Sequence, residues 1–145
     1  MAGFNFNLQS ILGIKEKIEE QKKIELGNAT IFLNAQIDVL NVLIEQHNEL
    51  INLFNQKNGK KFLAKELIDL NVSIKYYDDE ILQQRDVIKK AEKAVEDKRV
   101  ALNHAVMERK TYEKLKEIAY ENYQKEELSE NAKILDEIIS FKYSS

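Results

Sequence analysis

The sequence predicts an all-α protein: a long two-helix antiparallel coiled coil with short helical segments at its far tip. Three observations carry this expectation. The 145 residues contain no proline, where an average composition would supply roughly seven. Proline lacks an N–H and clashes with the preceding turn, so its absence removes the strongest helix breaker. Of the four glycines, only Gly59 in the pair Asn58-Gly59 lies between two long stretches of helix-type apolar spacing. The apolar residues, 43% of the chain, recur at spacings of three and four, which gathers them on one helix face. The expected layout is a single coiled-coil domain over 1–145. It has a long helix over about 5–56, a tip over about 57–79 and a second long helix over about 80–140.

The first helix opens after Phe4-Asn5-Phe6-Asn7-Leu8. Asn5 or Asn7 can cap it, because a short oxygen-bearing side chain accepts from the free N–H groups of the first turn. Phe4, Leu8, Ile11 and Ile18 begin an apolar stripe, with Lys15 in the vacant core-type slot. Residues 15 to 25 are charge-rich and weakly patterned. A clean register resumes with Leu26, Thr30, Leu33, Ile37, Leu40 and Ile44, and continues through His47, Ile51 and Phe54. The two registers differ by one residue near Lys22, so a local stutter is expected there. Phe32, Val39, Val42, Leu43, Leu50 and Leu53 widen the stripe beyond what a two-helix seam uses. Asn34, Asn41, Asn48 and Asn55 repeat every seven residues and read as a neutral solvated face.

Asn55 to Lys61 is the break. Gly59 can take the left-handed conformation that ends a helix, and the lysines around it suit a helix C-terminus. A second pattern runs from Leu63 through Leu67, Leu70, Ile74, Tyr77 and Ile81. It goes on with Gln84, Ile88, Ala91, Val95, Lys98, Leu102 and Ala105. Asn71 to Asp79 is poorer in helix formers, and Ser73, Asp78 or Asp79 can cap a new helix, so a kink or second connection is expected there. From Glu80 to about Ile139 nothing stops a helix, and sixty such residues span about 90 Å.

Two ways of pairing the helices follow. A single hairpin at Gly59 leaves residues beyond 113 without a partner, and isolated helices are marginal in water. A tip between 60 and 79 lets 4–56 pair with about 85–140 and covers more apolar surface. The second is the expected arrangement.

Composition excludes several classes. Acidic and basic residues are interspersed and the net charge is −3, so no basic footprint for nucleic acid exists. Without cysteine there is no disulfide framework and no thiolate metal site. His47 and His104 are the only histidines, and the residues three places before them are Ile44 and Ala101. The Glu-x-x-His pairs of a helical di-metal site are therefore missing. The glycines, at 3, 13, 27 and 59, form no phosphate loop. No catalytic, cofactor or metal residue is assigned, and no cofactor is expected. Met1 to Leu12 holds no Lys or Arg, unlike a secretory leader. Asp38, Glu45, Glu49 and five asparagines interrupt the most apolar stretch, Leu26 to Phe54, which argues against a membrane span. A cytoplasmic protein is expected.

The clustered aromatics are the sites the sequence singles out. Phe4 and Phe6, with Leu8 and Leu12, lie at one chain end; Ile138, Phe141 and Tyr143 lie at the other. If the chain folds back once, both groups meet at one apolar tip, which either binds a partner or staples fraying helices. Leu70, Ile74, Tyr76 and Tyr77 are the candidates at the far tip.

Two segments resemble a known family. Phe4 to Leu12, followed by Lys15, Glu16 and Glu20, resembles the start of FliJ-type flagellar export proteins. Met107-Glu108-Arg109-Lys110, Glu113-Lys114-Leu115-Lys116, Tyr123 and Leu135-Asp136-Glu137 resemble that family's C-terminal pattern. Many members end with an arginine near a final aromatic; here the order is Phe141-Lys142-Tyr143. The resemblance implies an antiparallel coiled coil similar to the stalk of rotary ATPases, and a non-enzymatic stalk and chaperone escort. Its implied partners are the flagellar export ATPase ring, the cytoplasmic domain of the export gate membrane protein and export chaperones. Its implied place is the cytoplasm, peripherally associated with the membrane at the flagellar base. The related stalk of a virulence-type secretion system, and a generic coiled-coil scaffold or homo-oligomer, stay open as alternatives.

Overall fold

The computed structural model describes residues 3–57 and 64–144. They form two helices, α1 (Gln9–Lys57) and α2 (Ala64–Ser144), and no strand among the described residues. The Asn58-Gly59 break and Leu63 lie outside them. The all-α expectation with two long helices holds.

Helix α1 starts without an asparagine cap. The Gln9 N–H donates to the Phe6 carbonyl at 3.1 Å, and the Leu12 N–H donates to the Leu8 carbonyl at 2.9 Å. Leu8 thus accepts the first bond of the helix. A backbone turn, rather than Asn5 or Asn7, satisfies the Gln9 donor left over at the helix start.

Helix α2 corrects the expected layout. It is continuous from Ala64, so the described part of the expected 57–79 tip belongs to the second long helix. Neither Ser73 nor Asp78 starts a new helix. The poor helix formers of 71–79 are held by packing, which routinely overrides a propensity deficit of tenths of a kcal/mol per residue. Leu70, Ile74 and Tyr77 are half-buried there.

The chain divides into two compact units. One comprises the residues up to Lys22 with those from Leu102 onward; the other is Lys23–Ala101. The division along α1 falls where the register was expected to stutter.

In the unit Lys23–Ala101 the two helix segments are antiparallel. Glu25 pairs with Lys98 at 3.5 Å, Gln84 donates to Gln36 at 2.9 Å, His47 faces Asp78 at 2.6 Å and Lys57 faces Glu66 at 3.7 Å. Ile88, Ala91 and Val95 are its buried centre. Alanine at 91 keeps that point free of bulk while its neighbours fill the flanks. Elsewhere the seam is half-buried, because a two-helix layer has no third layer to cover it. The register is the sequence's own with one change: Thr30 is exposed and Ala29 takes the seam. The Thr30 hydroxyl instead donates to the Leu26 carbonyl at 2.9 Å, a back-bond to the preceding turn.

In the other unit the partners are Phe4 with Tyr120 and Tyr123, Lys15 with Glu108, and Glu19 with Arg109. Phe6, Leu12 and Ala105 are buried. These pairs overturn the expected pairing of 4–56 with 85–140. Within each unit the pairs lie nearer the register expected of a turn at Gly59. Solvent-facing pairs such as Asp86–Lys90 at 3.1 Å and Lys93–Asp97 at 3.3 Å support α2 locally, each by about 0.2–0.5 kcal/mol.

Candidate functional site

The first-stated unit contains the candidate site, and its chemistry is built from the seam outward. Lys15 occupies its expected seam slot and is half-buried. Its ammonium pairs with Glu108 and lies 5.8 Å from the Tyr112 ring centre. The hydrogen bond from Lys15 holds the Glu108 carboxyl below the usual carboxylate range, and the same bond raises the Lys15 ammonium. Glu19, the one buried charged residue among those described, accepts from the Arg109 guanidinium. Arg109 also donates to Glu113 at 2.8 Å, and both contacts raise its pKa, Glu113 first. A buried carboxylate is costly unless paired, so this fork fixes which turn of α2 faces Glu19.

Beyond the ions lies an aromatic clasp. Phe4 meets Tyr120 edge-on with centroids 5.1 Å apart and Tyr123 at 5.5 Å. Tyr120 and Tyr123 stack at 6.3 Å. The Tyr123 hydroxyl donates to Glu127 at 3.0 Å, which raises its pKa. Sequence reasoning missed both tyrosines as partners of Phe4. Their spacing of three on α2 was the available signal, and it pointed there only once the pairing register was known.

Past the clasp, α2 carries an apolar stripe that faces solvent. An open hollow of about 410 Å³, lined by Tyr123, Gln124, Glu127 and Leu128, marks the change. Leu128, Leu135, Ile138 and Ile139 lie between 44% and 70% exposed, and recur at near-helical spacing. Phe141 and Tyr143 are 78% and 83% exposed.

The two groups of end residues are therefore not brought together. Phe4 packs on Tyr123, and Phe141 sits about 27 Å further along α2 at 1.5 Å per residue. Phe6 and Leu12 are buried and Leu8 is half-buried, so these three build the unit rather than present a surface. Ile138, Phe141 and Tyr143 do present one. Of the far-tip candidates in the unit Lys23–Ala101, Leu70, Ile74 and Tyr77 face the seam; Tyr76 is exposed and meets the Tyr77 ring at 5.3 Å.

His47, in its seam slot, stands 2.6 Å from Asp78 but without hydrogen-bond alignment at Nε2. His104 is exposed beside Glu108. No group of three or more His, Cys, Asp or Glu side chains among the described residues could hold a metal ion. No helix among them is long and apolar enough to cross a membrane.

No curated protein and no solved structure matches the chain. A family model does: that of the flagellar FliJ protein, over residues 4–145. The match spans nearly the whole chain, including both ends whose motifs carried the resemblance, and the chain belongs to the flagellar FliJ protein family.

Proposed function

We propose that the chain is a non-enzymatic stalk and chaperone escort of the flagellar export apparatus, and that the C-terminal end of α2 docks in the export ATPase ring. The family gives it a flagellar, export-related role. One observation carries the docking assignment: an apolar helix face over Leu128 to Ile139 that this unit leaves in water. Isolated helices of that length are marginal, and an exposed apolar stripe on one is stabilised by a partner surface. The Phe4 clasp and the Glu19–Arg109 fork hold the base of that segment, so a ring that grips it transmits force to packed helices.

The remaining partners in this reading are the cytoplasmic domain of the export gate and the export chaperones. They place the protein at the membrane of the flagellar base. Ring docking is tested by pull-down of the export ATPase of the same system. Ile138→Asp with Phe141→Asp is expected to abolish capture. Both residues are exposed, so the melting temperature stays within about 2 °C for these surface changes. Full capture by that variant contradicts the assignment. Phe4→Ala tests the clasp separately: it is expected to weaken capture and to lower the melting temperature.

A further inference from the structure

The unit Lys23–Ala101 carries a second apolar surface that the seam does not use. Val39 and Val42 are 44% and 52% exposed, and Phe32 and Leu53 are exposed on the same side of α1. Steps of three and four through Val39, Val42, Gln46, Leu50 and Leu53 make this a continuous stripe. It borders α2: a groove of about 400 Å³ is lined by Gln46, Glu49, Leu50 and Leu53 on one wall and by Ser73 and Tyr77 on the other. Tyr76 and Val87 follow Ser73 on that side of α2 at helical spacing, and both are exposed. Further along α1 the stripe dips into a hollow of about 280 Å³ between Asp38, Val39, Val42 and Leu43.

The charge along this groove is mostly acidic, with Lys57 and Lys65 at the end beyond Leu53. From Ile24 to Gln56 helix α1 has no lysine or arginine. Asp38, Glu45 and Glu49 run along its outer rim, all exposed. Asp69 and Glu80 share the α2 side of the groove with Ser73 and Tyr76.

We infer that this groove is a docking site for an amphipathic helix of a partner protein, with an apolar stripe flanked by lysine or arginine. The apolar floor takes the stripe, as helix-in-groove recognition requires. The acidic rims select basic flanks and steer their approach. A second copy of this face fits badly, because it sets one row of Asp38, Glu45 and Glu49 against another. The C-terminal stretch of α2 fits no better, since Glu130, Asp136 and Glu137 line it against Lys133 and Lys142. Nucleic acid is repelled by the same rims. The site lies wholly within Lys23–Ala101 and stands or falls apart from ring docking.

The test uses the full chain and a synthetic helix of about five turns, with leucines at i, i+3, i+4 and i+7 spacing and lysines on both flanks. A second peptide replaces every lysine by glutamate. Anisotropy titration is expected to show binding of the lysine peptide only, weakening with salt. Val39→Ser with Val42→Ser is expected to weaken it at least about tenfold, as loss of a central apolar contact does. Glu45→Gln with Glu49→Gln is expected to weaken it and flatten its salt dependence. Asn41→Ser, on the other side of α1, leaves it unchanged. All of these residues are exposed, so the circular dichroism of each variant stays that of the parent. Equal binding of the glutamate peptide, or full binding by the double serine variant, overturns the inference. So does sedimentation as a dimer that the double serine variant dissolves, since a second copy then fills the groove.

Discussion

At the scale of residues, ions and small side chains fix the pairing more than large apolar ones do. Glu108 shows this through pH. Lys15 depresses its folded-state pKa, so its contribution is present above the ordinary glutamate value and is lost as pH falls through the depressed one. Lys15 works in the opposite sense: its raised pKa contributes below the ordinary lysine value and is lost as pH rises through the raised one. Melting temperature is therefore expected to fall in acid at and below the ordinary carboxylate range. Glu108→Gln is expected to flatten that fall; an unchanged acid limb would refute the assignment. Arg109 answers to burial. Arg109→Ala leaves the Glu19 carboxylate, 8% exposed, without its fork partner, and is expected to lower the melting temperature clearly. Lys93→Ala, on an exposed pair with Asp97, is expected to change it hardly at all. Ile88→Ala removes buried methylenes from the centre of Lys23–Ala101 and is expected to cost about 2–3 kcal/mol in chemical denaturation.

At the scale of elements, the two ends of α2 behave differently. Residues 88–105 have a facing helix within their units, whereas those from Leu128 onward have exposed side chains throughout the described positions. Amide hydrogen exchange is expected to be slow over Ile88–Ala105 and faster by orders of magnitude beyond Leu128; uniform protection along α2 would contradict an exposed end. Much of this helix pair was legible in the sequence. Leu67, Leu70, Ile74, Tyr77, Ile81, Gln84 and Ile88 take the seam positions that their spacing assigns. A period of three and four records which face is covered, and does so locally. It does not record which turn of the partner covers it, so the offset between α1 and α2 was misjudged. Burial of extra apolar surface favoured one offset. Within each unit polar pairs meet at the actual offset, Gln36 with Gln84 in one and Glu19 with Arg109 in the other. The clasp of Phe4 on Tyr120 and Tyr123 was hidden for the same reason, and so was the exposure of Ile138 and Phe141.

At the scale of the whole molecule, a flagellar, export-related family and exposed apolar surfaces suit the proposed role of a part that works by contact. No group of three or more His, Cys, Asp or Glu among the described residues could hold a metal ion, and each unit leaves an apolar surface in water. In the unit containing both chain ends that surface is the last turns of α2; in Lys23–Ala101 it is the acid-rimmed groove. Separate surfaces on separate units let one chain hold two partners at once, as the proposed stalk and escort role requires. The ring assignment is the central claim, and a truncation reads it most directly. The full chain and a chain ending at Glu127 are each titrated with the export ATPase of the same system, with melting followed in parallel. The account predicts that the shortened chain melts within a few degrees of the parent, since the lost segment packs on little, and that its binding falls below detection. Binding undiminished by the truncation would contradict it.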